Sequence, residues 1–457
     1  MKDMLRALLA NKPADYLEVR VEESETTSLR FQGPVLESVN AGTRCGGAIR
    51  ALVNGGWGFV TFNDLVDLEG KVDLAIQQAK LVGAAGSDVQ LAESPVIEDV
   101  VNVQFGEDPR NVSLADKVAL FAGYNELVLS RGKPIVSSRV SYADKFTKLH
   151  FANSEGTYIL QHKLDLSGGI MAMASNGDIS QMGHVGFGSS TDFGVARGKE
   201  GKIREACERA VKLLDAPTVK GGQYTVIVDP HLAGIFAHEA FGHLSESDHL
   251  YENPSLQKLM KLGTKFGEKH LNIFDTGLDV GARGYLKYDD EGVPTQHTDL
   301  IKEGVLVGRL HTRETAGKMG EQPTGNARAL DYTFSPICRM RNTCIAPGQA
   351  SFEDMLKDIK LGVYAIDSFG GQTNGEMFTF SAGEAYMIRD GKLAEMVRDV
   401  NLTGNVFTTL ANIDMVGKDF TPFESPGGCG KGEQAPLPTS EWAPHMRIQN
   451  VVIGGSK

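Results

Sequence analysis

The stretch HEAFGHLSE, residues 238–246, sets a glutamate directly after one histidine and a second histidine five positions on. In the H-E-x-x-H arrangement of zinc peptidases the histidines are four apart, which on an α-helix leaves them about 40° from each other and on one face. A separation of five leaves them about 140° apart. His238 and His243 can therefore grip one ion only if the helix widens locally, as a π-bulge does. Gly242 is expected to lower the strain of that distortion, and a departure from α geometry is predicted between Ala240 and Leu244. Without it, the two histidines are ordinary core or surface residues of an amphipathic helix.

A peptidase zinc needs neutral imidazole ligands, an open coordination position for water, and a carboxylate that takes the water's proton without filling the shell. HEAFGH supplies those parts, with Glu239 as the candidate carboxylate. Glu246, three after His243 and so on the same face, is read either as a third ligand or as a solvated charge. His249 is read as an exposed alternative or a loop residue.

Far downstream stands SPGGCGKGEQ, residues 425–434. Structural cysteines are usually small buried hydrophobes within apolar runs. Cys429, between glycines, is expected on a bare loop from which its thiolate can turn toward a metal, with Lys431 helping to hold it deprotonated. A phosphate loop of the form G-x-x-x-x-G-K-[ST] would need glycine at 425 and a hydroxyl at 432; Ser425 and Gly432 stand there, and that reading fails.

Around these stretches lies a chain of 457 residues, longer than one hydrophobic core usually spans, so two domains are expected. YLEVRVEE and GGAIRALV alternate like strands, while LVDLEGKVDLAIQQAKLVG, SLADKVALFAGYNELVLSRG and GKIREACERAVKLLDAP have helical spacing. Ser113, with Asp116 three positions later, is a helix start. The fold class is α+β: an N-terminal mixed α/β sheet domain over 1–218, and a mainly antiparallel β domain over 219–457 carrying the histidine helix. The net charge of -12 and the lack of a Lys/Arg cluster argue against direct nucleic-acid binding. Five cysteines with no CxxC pair suit reduced thiols. With no leader-like or membrane-length apolar run, a cytoplasmic location with no membrane association is expected.

HEAFGHLSESD, DDEGVP (289–294), PTGNAR (323–328), FGGQTNGEMF (369–378), NLTGN (401–405) and GGCGKGEQ (427–434) together resemble the TldD/PmbA family, also called the modulator of DNA gyrase family. The resemblance implies a zinc metallopeptidase in which His238, His243 and Cys429 bind Zn2+ and Glu239 is catalytic. It further implies peptide or unfolded-protein substrates, and a homodimer or a heterodimer with a homologous inactive subunit. The alternatives are a non-catalytic partner subunit with a structural zinc, or an interaction module linked to DNA gyrase. DDEGVP and PTGNAR read as turns whose polar residues organise backbone, with Thr324, Asn326, Arg328 and His311 as candidates for substrate or oxyanion binding. His297 and His311 also read as structural strand histidines. FGGQTNGEMF reads as a hairpin whose free edge can pair with an extended peptide.

Overall fold

Period-two alternation builds the first half of the chain. A computed structural model describes residues 1–84, 86, 89–423 and 426–454. After helix α1 (Lys2–Leu9) come β1 (Tyr16–Gln32), β2 (Val35–Val53), β3 (Gly56–Phe62), α2 (Leu68–Gly83), β4 (Glu98–Val101), α3 (Leu114–Leu129), β5 (Ile135–Asn153), β6 (Tyr158–Ser175), β7 (Ser180–Ser189) and α4 (Glu200–Asp215). They form one sheet in the order β3-β2-β1-β5-β6, and β6 shares its outer edge between β7 and the parallel β4. Ser113 caps α3 by accepting from the Asp116 amide, as its sequence predicts.

The odd positions of β1, Leu17, Val19, Val21, Leu29 and Phe31, face the helices: α1 and α2 cover one end of the sheet, α3 and α4 the other. The approach of α2 to β3 is close enough that a Cβ at Gly58 would lie 1.9 Å from the Ala75 carbonyl. The even positions in the first part of β1, up to Ser24, are buried too. Glu18, Arg20 and Glu22 are at most 2% exposed, because this face is covered by the second half of the chain.

The second half begins with β8 (Gly222–Val228) and α5 (Pro230–Phe236). β8, Met446–Gly454, Asn401–Asn405, Met377–Arg389 and Leu361–Asn374 pair in that order, and the last pairs back to β8 in parallel, closing a five-stranded ring. A separate six-stranded sheet includes Ile273–Thr276, Asn342–Ile345 and Ser440–Ala443. Helix α5 lies between the two, Phe236 against Phe378 of the ring and Gly234 against Glu441 of the sheet. The architecture is α+β, mixed in the first half and largely antiparallel in the second. Among the described residues, no helix is long and apolar enough to cross a membrane.

Buried charge joins a small apolar cluster, Phe151 and Ile159 against Tyr288, at the seam between the halves. Arg50, opposite Glu18 in the β1–β2 register, pairs with Glu18 at 2.8 Å and with Glu291 of the second half at 3.1 Å. Arg313 binds Glu155 through two 2.8 Å hydrogen bonds, and Arg20 lies 3.7 Å from Asp290 while donating to the Phe334 carbonyl. Removing one member of a buried ion pair leaves its partners charged and desolvated. Arg50→Met is therefore expected to destabilise the protein by roughly 3 kcal/mol in equilibrium urea unfolding; a change within about 0.5 kcal/mol would mean the seam is hydrated.

Candidate metal centre

Asp229 caps α5 by accepting from the Leu232 amide, and Pro230 follows at the first helical position. At Ala237 the helix widens into a π-helical turn that runs to Gly242, followed by a tight 3₁₀ turn over His243–Ser245. The His243 amide donates to the His238 carbonyl, five residues back. The departure from α geometry thus begins three residues before the predicted Ala240. Gly242 also has a different reason from the one expected: its φ of -57° is ordinary helix, but a Cβ there would lie 2.0 Å from Met340 Sδ. Close packing requires the glycine, not strain.

The widened turn directs both imidazoles at Cys429. One donor atom from each of His238, His243 and Cys429 falls within 4.8 Å of the others, and His243 Nε2 lies 3.3 Å from Cys429 Sγ. Tetrahedral zinc, with Zn–N near 2.0 Å and Zn–S near 2.3 Å, holds such donors roughly 3.5 Å apart. Two imidazoles and a thiolate form a donor set suited to zinc and poorly suited to Ca2+ or Mg2+. The residues present fit the ion.

Cys429 does not stand on a bare loop. It is 3% exposed and opens the strand Cys429–Lys431, which pairs with Gln434–Leu437. Buried Arg339 fixes this hairpin by donating to the carbonyls of Cys429 at 2.7 Å and Gln434 at 3.1 Å. Lys431 turns instead to Glu246 (3.0 Å) and Asp248 (2.6 Å).

Glu246 is neither a ligand in this cluster nor a solvated charge. It is fully buried, lies 3.1 Å from His243 Nδ1 and receives the Met340 amide. It thereby fixes the ring of His243 from behind, as outer carboxylates do for metal-bound histidines. Glu441 stands equivalently to His238, its Oε1 3.3 Å from Nδ1, though off the line of a hydrogen bond. Nothing in the sequence around SEWA marks Glu441; only the close approach of its strand to Gly234 reveals it.

Glu239 lies on the open side. Its side chain is 28% exposed, that of His243 20% and that of His238 4%, and its Oε2 is 4.0 Å from His243 Nε2. The other candidates are occupied elsewhere. Arg328 donates to the Met340 and Pro438 carbonyls, Asn326 to Asp275 and the Arg339 carbonyl, and Thr324 Oγ1 bonds Asn326 and the His311 backbone. His311 is buried between Thr315, Glu321 and Ser247. Asp289, Asp290 and Glu291 accept backbone amides of Val293, Ala329 and Arg313. His249 and His297 are exposed.

Models of the PmbA/TldA metallopeptidases match the chain in three parts: domain 1 over residues 17–80, the central domain over 107–214 and the C-terminal domain over 221–455. The chain belongs to the PmbA/TldD metallopeptidase family. A metalloprotease of Synechocystis is 47% identical over 97% of this chain and 95% of its own. The zinc metalloprotease TldD homologue of Saccharolobus solfataricus is 30% identical over 97% of this chain and 96% of its own. The fold matches that of TldE from Thermococcus kodakarensis, with a TM-score of 0.78 at 19% identity and full coverage of both chains. The first sheet, β1 to β7, is continuous across the regions that the family's domain 1 and central domain occupy.

In this family member, burial disfavours the charged forms of the cluster, yet its charges overcome that cost. The Cys429 sulfur raises the pKa of both imidazoles, helped by Glu441 at His238 and Glu246 at His243. The two imidazoles lower that of the Cys429 thiol. Burial likewise opposes ionisation of Glu246, but Lys431 and His243 hold its pKa at about 2. A metal ion must displace the protons that the raised imidazoles retain at neutral pH, so binding strengthens as pH rises. Between about pH 6 and 8, zinc affinity measured by chelator competition should rise between roughly tenfold and a hundredfold per pH unit, for one or two protons displaced; a flat profile would contradict the charge assignment. Gly242→Ala should cost on the order of 1–3 kcal/mol by overpacking and weaken zinc binding, and Met340→Ala should restore binding in the double variant.

Proposed function

We propose that this chain is a zinc peptidase that hydrolyses peptide bonds in unfolded or flexible peptides. The observation that carries the reading is the convergence of His238, His243 and Cys429 with Glu239 on the exposed side of the cluster. Held there, zinc would polarise the scissile carbonyl and acidify a water molecule. Glu239 accepts the proton of the attacking water and delivers it to the leaving amine. Glu246 holds the ring of His243 in orientation, and Glu441 places its charge beside His238.

A purely structural zinc would call for a fourth protein donor. Among the described residues no such donor joins the three, and Glu239 is left free for chemistry. Assembly as a homodimer, or as a heterodimer with a homologous subunit lacking the histidines, and a cytoplasmic location complete the reading.

Two substitutions separate binding from chemistry. Glu239→Gln should keep its zinc and its melting temperature while losing roughly 10²–10⁴-fold in hydrolysis of an unfolded protein. Cys429→Ala should lose zinc by elemental analysis. Equal hydrolysis by Glu239→Gln and the parent protein would remove Glu239 from the reaction.

A further inference from the structure

A cavity of about 190 Å³ opens between the sheet of the first half and the hairpin that carries Cys429. Pro436, Leu437 and Pro438 form one wall, and Leu437 is the cross-strand partner of Cys429. The cavity and the metal cluster therefore share that hairpin. Lys145 of β5 and Lys163 of β6 form the opposite wall, on diagonally adjacent positions, since Lys145 opposes Asp165 and Thr147 opposes Lys163.

The other charges are spoken for. Asp165 binds Arg283 at 2.7 and 2.9 Å, Asp331 lies 3.4 Å from Arg44, Asp290 lies 3.7 Å from Arg20, and Arg328 donates to carbonyls; against their burial, the carboxyls of Asp290 and Asp331 are also held below their usual range by the more distant charges of Lys163 and Lys145, respectively. Lys145 and Lys163, both half-buried, have no ion pair or hydrogen bond among the described residues. Burial and then repulsion from Lys163 hold the Lys145 ammonium below its usual pKa, with Glu22 and Asp331 opposing too weakly to restore it. Between the lysines, Thr147 is 1% exposed and its hydroxyl has no hydrogen-bond partner. Among the described residues, four cationic side chains line the cavity, Lys145, Lys163, Arg283 and Arg328, against three carboxylates, Asp165, Asp290 and Asp331, an excess of one positive charge within a chain whose net charge is -12.

We infer that the cavity is an anionic subsite: Lys145, Lys163 and the Thr147 hydroxyl bind a carboxylate of the peptide being processed, from an acidic side chain or from its C-terminus. The inference rests on the peptidase reading and names its substrate class. Two ammonium groups and a hydroxyl donor supply charge-assisted hydrogen bonds to both carboxylate oxygens, and the ligand relieves the repulsion between the lysines.

The test uses zinc-loaded Glu239→Gln protein, which holds peptides without cutting them. Fluorescent peptides of one neutral sequence are compared by anisotropy: one with a free C-terminal carboxylate, one amidated, and one amidated with an internal glutamate. At least one carboxylate peptide should bind on the order of tenfold more tightly than the neutral amide, and which one does so names the source of the carboxylate. Adding Lys145→Met and Lys163→Met should bring the ratio close to one while zinc content stays the same. Should that combination unfold, Lys145→Gln and Lys163→Gln singly should each reduce the ratio. Equal binding of all three peptides with the lysines intact, no binding of any, or a preference that survives in the lysine variants would each overturn the subsite. The peptidase reading fails separately, through equal hydrolysis by the parent and Glu239→Gln proteins.

Discussion

One hydrogen bond organises the centre of this molecule: the His243 amide to the His238 carbonyl, spanning five residues instead of four. Without that wider turn the two imidazoles would diverge and Cys429 would face only one of them. Wide turns pack poorly by themselves, and here neighbouring chain fills the space. Met340 presses against Gly242 and the Glu441 strand against Gly234, so the histidine segment is clamped between the closed ring and the second sheet. The same neighbours deliver chemistry. Met340 donates its amide to Glu246, which orients His243, and the strand Ser440–Ala443 brings the Glu441 charge to His238, so packing and electrostatics are set together.

Charge is buried at two places for different ends. At the cluster, Glu246, Lys431 and Asp248 form a chain of opposite signs that ends on His243, and each member offsets the desolvation of the next. At the seam, Arg20, Arg50 and Arg313 reach across to carboxylates of the opposite half. Such pairs add little net stability over apolar contact, but they tolerate only one registration of the two surfaces. That registration brings the sheet of the first half alongside the Cys429 hairpin.

Much of this was legible in the sequence, for identifiable reasons. The strands around YLEVRVEE and the helix capped by Ser113 follow from local periodicity and a local hydrogen bond, both of which a sequence displays. The need for a widened turn followed from angular arithmetic on His238 and His243, although its start at Ala237 depends on surrounding packing. Alternation marked Glu18, Arg20 and Glu22 as one face of a strand but could not say that partners 270 or more residues away, such as Asp290, would bury it. Glu246 carried a sequence signal, its spacing from His243, that fits a ligand and a supporting carboxylate equally well. The distinction lies in which atoms face it, Nδ1 and Lys431 Nζ. Cys429 looked exposed because glycines surround it, yet Arg339 draws its hairpin inward.

The closed ring has a consequence for how the protein comes into being. Its first strand, Gly222–Val228, pairs with Met446–Gly454, which the ribosome makes after every other strand of the ring. Until that segment emerges, β8 lacks a neighbour along one edge, α5 has an incomplete surface to rest on, and the sulfur donor has only just been synthesised. His238 and His243 can thus meet Cys429 only late in synthesis, and a nascent chain stalled before residue 429 would present its two histidines without the thiol.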